Sequence, residues 1–433
     1  MITGSRLAAL EALLQVSENE GYSNIVVDKC LKKHGLDRRD SALASIIFYG
    51  VLENRITLDY YISLFLKNKN MKLSETTRTI LQVGCYQILF LDKIPESAAV
   101  NECVELAKQY KCNASFVNAV LRNMIRKKDD ISLPDNLEIK YSVPNELISM
   151  WVKAYGEQNT LKILESVQEK SKIYCRINNT KTTYSDFVAS FSDSEINIRE
   201  YKNMPYTCII NSGGDITKLP QYEEGLFHVQ DLSSQYLCEI VSPNEGETLV
   251  DVCAAPGGKS FTLAEKMNNT GTVYSYDLYK GRVKLIFNGS KRLGLSNIHA
   301  FVRDAAKSDT HGIVADRVLC DAPCSGFGTI RRKPEIRYKS LESVSDLPDI
   351  QYQILENSAK FVKSGGYLFY STCTLNPKEN GEVADRFLAN NPEFYAEDIN
   401  IDIPRAISEP KNQLTMMPFN DCDGFFVAKF RRK

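Results

Sequence analysis

From about residue 3 to residue 130, apolar positions recur every three to four residues and no alternating run interrupts them. Leu7, Leu10, Ala12, Leu13, Leu14 and Val16 make the stripe of a first helix, since a 3.6-residue turn gathers such positions on one face. Tyr22-Ser23-Asn24 supplies a start for a second helix carrying Ile25, Val26, Val27 and Leu31. The pattern continues over 42–52, 58–66 and 77–91, breaks at Ile94-Pro95-Glu96-Ser97, and resumes over 98–110 and 115–126. Helices without strands predict a separate all-α domain over 1–130.

The stretch 128–136 has the composition of a linker. A short helical stretch surrounds Trp151, and 165–220 reads as a small α/β unit. In that unit Tyr174-Cys175-Arg176-Ile177-Asn178 and Thr207-Cys208-Ile209-Ile210 are strand-like, and 183–191 is helix-like. We therefore expect a linker and small α/β domain over 131–223. From 224 to 433, short apolar runs alternate with helical patterns. The runs lie at 249–252, 271–277, 297–302, 316–320 and 367–370. This alternation predicts a doubly wound, Rossmann-like parallel sheet. The fold class is thus multidomain: all-α, then small α/β, then doubly wound α/β.

At 433 residues, the chain is long enough for several domains. With 53 basic and 54 acidic residues the net charge is −1, so global charge does not mark a nucleic-acid binder, and any such contact must come from local patches. The first residues carry no apolar leader, and the longest apolar stretch, 83–91, is too short and mixed to span a bilayer. A cytoplasmic protein without membrane contact is expected. Twelve cysteines are scattered without a CxxC pair, and the four histidines are isolated. Free thiols and no metal follow as expectations, as does a monomer.

The candidate chemistry lies where strands end. After the run at 249–252 come Cys253, Ala254, Ala255, Pro256, Gly257, Gly258 and Lys259, and a helix pattern follows at once. The two glycines let the backbone approach a ligand, although an ordinary strand-to-helix turn has the same composition. The turn is neither GxGxxG nor a phosphate loop. Asp277 ends the next strand about 20 residues on, where a ribose-binding acid is expected. Asp304, Asp321 and Ser371-Thr372-Cys373-Thr374 end the later strands. Ligands of such sheets bind outside the carboxyl ends of the strands, so all these groups can line one crevice. A ligand with ribose and adenine but no phosphate fits; S-adenosylmethionine is one. Arg331, Arg332, Lys333 and Arg337 share one segment after Asp321. They suit RNA phosphates, and a solvated basic loop is the alternative.

The strings D-V-C-A-A-P-G-G-K-S, D-A-P-C-S-G-F-G-T-I-R-R-K-P-E-I-R-Y and Y-S-T-C-T-L-N-P-K-E-N resemble the signatures of RNA cytosine-C5 methyltransferases. I-P-E-S-A-A-V-N-E-C-V-E-L-A-K and F-V-N-A-V-L-R-N-M-I-R resemble a NusB-like RNA-binding module. Over nearly its whole length the chain is similar to the RsmB/Sun family of bacterial 16S ribosomal RNA methyltransferases. The resemblance implies S-adenosylmethionine as cofactor and 16S ribosomal RNA as partner. It implies Cys373 as the nucleophile and Cys324 as an aid to product release, and it places Asp321 in the cofactor pocket. It also implies that Gln230, Asp231 and Ser233 pack against the cofactor loop and that Asp423-Gly424, in a closing hairpin, lies beside the active site. In DNA cytosine methyltransferases the Pro-Cys cysteine attacks, so Cys324 is the rival assignment. Gly381 stands where the family usually carries an acid. The chemistry itself asks for a thiolate, because addition to C6 turns a poor nucleophile, C5, into an enamine carbon. Two other readings stay open: a transfer RNA cytosine-C5 methyltransferase, and a non-catalytic RNA-binding or antitermination factor. Intact Cys324, Cys373, Asp277 and the cofactor turn speak against the second.

Overall fold

The computed structural model describes residues 4–19, 23–68, 71–192, 194, 196–211, 214–404, 406–408 and 410–433. Tyr22, read above as part of a helix start, lies outside the described residues, as do Met1, Ile2 and Thr3. The apolar stripes of the first third form α1 (Gly4–Asn19), α2 (Ser23–Lys33), α3 (Arg38–Glu53), α4 (Arg55–Ser63), α5 (Glu75–Phe90), α6 (Glu96–Gln109) and α7 (Ala114–Lys127). Side-chain oxygens of Asp37, Ser74 and Asn113 accept from first-turn amides of α3, α5 and α7, which otherwise lack intrahelical partners. Leu10, Leu13, Phe48, Val51, Leu81, Val83, Leu121 and Met124 share the core between the helices.

Two more helices follow, α8 (Leu137–Tyr141) and α9 (Asn145–Val167). The helix around Trp151 is therefore longer than the sequence suggests, and Gly156 breaks it at φ +78°. Such a backbone angle favours glycine. The Ile56 amide donates to Ser142 Oγ at 2.9 Å, and the Thr57 hydroxyl donates to Ile139 O. These bonds tie α8 to α4. The first compact unit accordingly runs through Gln168, past the boundary expected at 130, and it also takes in residues Ile330–Leu341.

The second compact unit holds two sheets. The smaller consists of β1 (Tyr174–Ile177), β2 (Asn197–Glu200), β3 (Thr207–Asn211) and β4 (Phe227–Val229), in the order β2-β3-β1-β4 and antiparallel throughout. Two helices accompany it, α10 (Tyr184–Ala189) and α11 (Pro220–Glu223). Residues 227–229, read in the sequence as the opening of the last domain, are thus an edge strand of the small sheet.

The larger sheet is built from β5 (Thr248–Asp251), β6 (Thr272–Asp277), β7 (Ile298–Val302), β8 (Ala315–Asp321), β9 (Val362–Thr372), β10 (Phe394–Ala396), β11 (Gln413–Met416) and β12 (Phe425–Arg432). The order is β10-β12-β9-β8-β5-β6-β7, with β11 paired to β12. β5 to β9 run parallel; β12 is antiparallel to β9 and pairs with β11 as the expected closing hairpin. Successive side chains of a strand point to opposite faces. Leu249, Leu319 and Phe369 therefore pack with α12 (Leu232–Val241), α13 (Gly258–Lys266) and α14 (Lys280–Leu293). Their neighbours Val250, Val318 and Leu368 pack with α15 (Leu347–Ala359) and α16 (Gly381–Asn390) on the other face. The order of strands reverses between β5 and β8, and a crevice opens at such a switch point.

Candidate active site

The turn at 253–259 is shaped by its backbone. The Ala254 amide donates to Tyr276 O at 2.7 Å and the Gly257 amide to Ala254 O at 2.8 Å. Gly257 sits at φ +114°, and a Cβ there would lie 2.3 Å from Phe261 Cζ. Only glycine fits, and α13 begins at the next residue, with its free amides at the mouth of the crevice. Gln230 Oε1 accepts from Thr262 Oγ1 of α13 at 2.7 Å. Asp231 Oδ2 accepts from the Ser233 and Asp423 amides at 2.9 and 3.1 Å. Of the segment expected to brace the turn, Gln230 reaches α13, while Asp231 holds Ser233 and the Asp423-Gly424 hairpin.

The expected acids follow the carboxyl ends of neighbouring strands. Asp277 is buried at the end of β6; its Oδ1 accepts from the Tyr279 amide at 3.2 Å, and Arg282 lies 3.5 Å from Oδ2. Asp304 follows β7, and its Oδ1 accepts from the Ala306 amide at 3.0 Å. Asp321 ends β8, accepts from Ser371 Oγ at 2.8 Å, and meets Lys259 Nζ at 2.7 Å. Burial opposes the charge on Lys259, but Asp321, with Asp251 behind it, outweighs burial and holds the ammonium above its ordinary range. Three carboxylates and a lysine already paired suit hydroxyls and positive charge better than phosphate.

Asp251 lies fully buried beneath this pair. Burial pushes its carboxyl up from 3.8 to about 7; Asp321 adds to the rise, while Ser260 Oγ, donating at 2.7 Å, and Lys259 oppose it. A carboxyl raised in the folded state stabilises below its unfolded value, and that contribution is lost as pH climbs from about 4 to about 7. Asp251→Asn is therefore expected to stabilise the protein at pH 8 by roughly 2–4 kcal/mol, with a smaller gain at pH 5. Urea unfolding at the two pH values checks it; equal gains at both would refute the burial argument.

Two turns carry the cysteines. Cys324 follows β8, Cys373 follows β9, and the sulfurs lie 3.2 Å apart. Both side chains are half-buried. The hydrogen bond with Cys373, together with burial, pushes the Cys324 thiol well up, and either sulfur can donate to the other. The Gly328 amide donates to Cys373 O at 3.0 Å, and Gly328 O accepts from the Gly424 amide at 2.8 Å. A Cβ at Gly328 would lie 1.9 Å from Gly424 O, so three backbones meet where no side chain fits.

Sequence reasoning missed the residue that joins these turns. Glu379 is 0% exposed. Its Oε2 accepts from the Ser325 amide at 2.8 Å and Gln351 Nε2 at 2.9 Å, and its Oε1 accepts from Asn376 Nδ2 at 2.9 Å. Tyr370 OH donates to the Glu379 carbonyl, and Ser325 Oγ meets Thr374 Oγ1 at 2.7 Å. In the sequence Glu379 stands inside the quoted string Y-S-T-C-T-L-N-P-K-E-N, where it reads as the acid of a solvated turn.

The basic segment needs a correction. Arg337, expected to face RNA, is 1% exposed, and its guanidinium donates to Glu53 O at 2.8 Å. Tyr338 OH donates to Leu52 O at 2.7 Å and the Ser23 amide to Glu335 Oε1 at 3.1 Å. Arg337 thus anchors its segment inside the first compact unit and cannot reach a phosphate. Arg331 and Arg332 are half-buried and Lys333 is exposed in the same segment. Among the described residues there is no cluster suited to a metal, and no helix is long and apolar enough to cross a membrane.

Comparison with known proteins agrees with this architecture part by part. Residues 238–431 match the family described as 16S rRNA methyltransferase RsmB/F, residues 3–126 the NusB family, and residues 143–217 the RsmF/B-like ferredoxin-like domain. The chain is 36% identical to the probable ribosomal RNA small subunit methyltransferase B of Bacillus subtilis, covering 100% of this chain and 99% of that one. It is 30% identical to ribosomal RNA small subunit methyltransferase B of Shewanella oneidensis, with 98% of each covered. The crystal structure of PH0851 superposes with a TM-score of 0.83 at 26% identity over 100% of this chain and 99% of that one. The structure of NSun6 from Pyrococcus horikoshii with SFG shares the fold, with a TM-score of 0.62 at 20% identity over 67% of this chain and 98% of that one. By full-length similarity and by the order of its three parts, the chain belongs to the ribosomal RNA small subunit methyltransferase B family.

Proposed function

We propose that the protein methylates C5 of a cytosine in 16S ribosomal RNA, with S-adenosylmethionine as methyl donor and Cys373 as covalent nucleophile, acting as a cytoplasmic monomer. The observation that carries the reading is the pair of thiols at 3.2 Å on the ends of adjacent strands, next to acids on four strand ends. The bound cofactor supplies an electrophilic methyl group on a sulfonium. Cys253 to Lys259 would hold its methionine end, Asp277 its ribose, and Asp304 and Asp321 the remaining edges. The partner named for the relatives, small-subunit ribosomal RNA, is taken as the substrate.

Cys373 attacks C6 of the cytosine. A sulfur–carbon bond forms, the C5–C6 double bond opens, and C5 becomes the nucleophile. After C5 has gained its methyl group, it gives its proton to a base, a solvent water or a neighbouring side chain. The electron pair re-forms the C5–C6 bond, and the sulfur–carbon bond breaks. Cys324, 3.2 Å from the leaving sulfur, is placed to assist that departure. Asp321 stands between the two halves of the site, bonded to Lys259 of the cofactor turn and to Ser371 of the β9 end.

Incubating the purified protein with S-adenosylmethionine and 16S or transfer RNA, followed by bisulfite sequencing, tests the reading. A single protected cytosine in 16S RNA is expected; protection only in transfer RNA, or none, overturns it. Asp277→Ala is expected to weaken cofactor binding by about 1.5–3 kcal/mol, the range for hydrogen bonds to a charged group. Unchanged affinity by titration calorimetry would remove Asp277 from the pocket.

A further inference from the structure

The chain is nearly neutral overall, yet α14 reads Lys-Gly-Arg-Val-Lys-Leu-Ile-Phe-Asn-Gly-Ser-Lys-Arg-Leu, with five cations and no acid. Its inner face is closed: Ile286, Ser290 and Leu293 are buried, and a Cβ at Gly289 would lie 2.4 Å from Phe261 Cζ of α13. Two of the cations have structural roles. Arg282 donates to Ala255 O at 2.8 Å, and Arg292 donates to Phe227 O at 3.1 Å while its guanidinium lies 3.7 Å from the centre of the Tyr222 ring.

The other three do not share that fate. Lys280, Lys284, Phe287 and Lys291 fall at i, i+4, i+7 and i+11, one stripe along the helix that turns away from the buried face. All four are exposed, Phe287 at 60%, and Tyr279, just before the helix, at 61%. An aromatic ring left that open among lysines gains nothing for folding. A row of cations with interleaved rings is what unpaired nucleic acid requires, phosphates on the lysines and bases on the rings. The stripe begins three residues after Asp277, at the mouth of the candidate crevice, and extends about 16 Å at 1.5 Å per residue.

We propose that this stripe of α14 is a binding track for single-stranded RNA flanking the target cytosine. The inference rests on the reading of the protein as an RNA methyltransferase and adds where the substrate strand runs. A peptide or protein partner is disfavoured, because a lysine row without acids offers a polyanion charge complementarity at every turn. None of the four side chains enters the cofactor turn, so cofactor affinity serves as the control for folding.

The test uses the full-length protein and 16S RNA, with binding measured from 50 to 300 mM salt as an order-of-magnitude range. Lys280→Gln, Lys284→Gln and Lys291→Gln together should make the slope of log affinity against log salt shallower by about 2, at roughly 0.7 per phosphate contact to a single strand. Phe287→Ala should weaken binding by about tenfold at every salt concentration and leave the slope alone. Both variants should bind S-adenosylmethionine like the wild type. A wild-type salt slope in the triple variant overturns the track, even if binding to an assembling subunit falls, since that result assigns the surface to a protein. If the wild type methylates 16S RNA and these variants do so equally at limiting RNA, the track is wrong and the function stands. If the wild type neither binds nor methylates 16S RNA, the function fails first and the track with it.

Discussion

Cys324→Ala is expected to accumulate a protein–RNA complex that survives denaturing electrophoresis, whereas Cys373→Ala forms none. The proposed reaction has two covalent steps. Removing the nucleophile abolishes the first, and turnover should fall by roughly six orders of magnitude, the scale seen when a covalent nucleophile is deleted. Removing the helper spares the first step and slows the second, so the intermediate collects. The two sulfurs lie 3.2 Å apart, a geometry that serves either order of roles, so the two variants decide which sulfur attacks. The double variant should trap nothing, because residues of one catalytic unit are not additive. The measurement is a denaturing gel of labelled 16S RNA with each variant. A complex with Cys373→Ala and none with Cys324→Ala would reverse the roles.

Glu379 should matter almost as much without touching substrate. Its carboxylate satisfies three N–H donors from the two cysteine-bearing turns and α15, all in a buried place. Glu379→Ala leaves those donors unpaired at about 1–3 kcal/mol each, so a loss on the order of 4 kcal/mol is expected. Glu379→Gln keeps the shape but sets an amide N–H against one of the donors, for about 1–3 kcal/mol. The diagnostic readout is positional. A displacement of about 1 Å between reacting groups costs on the order of 100-fold in rate. Glu379→Gln should therefore lower kcat and adduct yield about that much while the dissociation constant for S-adenosylmethionine stays near wild type. A purely structural role would lower the folded fraction and leave the rate per folded molecule unchanged. Single-turnover adduct formation beside urea unfolding separates the two, and full adduct yield in Glu379→Gln would sink the positioning role.

The large sheet was legible because each strand changes character at its carboxyl end. Asp277, Asp304 and Asp321 each follow an apolar run, so the acids announce both the strand and the crevice. The cysteine turns were legible through local strings. Glu379 was not, since its meaning lies in donors from Ser325 and Gln351, residues far from it along the chain. β4 escaped for another reason: three residues with a central histidine carry too little alternation to read as a strand, and pairing with β1 forms it. Arg337 was misread because a charge signals surface, while a guanidinium can also be satisfied indoors by carbonyl oxygens.

The residues Ile330–Leu341 carry one more implication. The chain passes between its two compact units after Gln168, after Thr329 and again after Leu341. The helical module and the catalytic module are therefore joined by three covalent connections rather than one. A single proteolytic nick, at whichever connection it falls, leaves the two halves tethered. A gene fragment that starts at residue 224 takes with it Pro334, Ile336 and Arg337 but none of the helices that bury them. Such a fragment is expected to be sticky and poorly soluble.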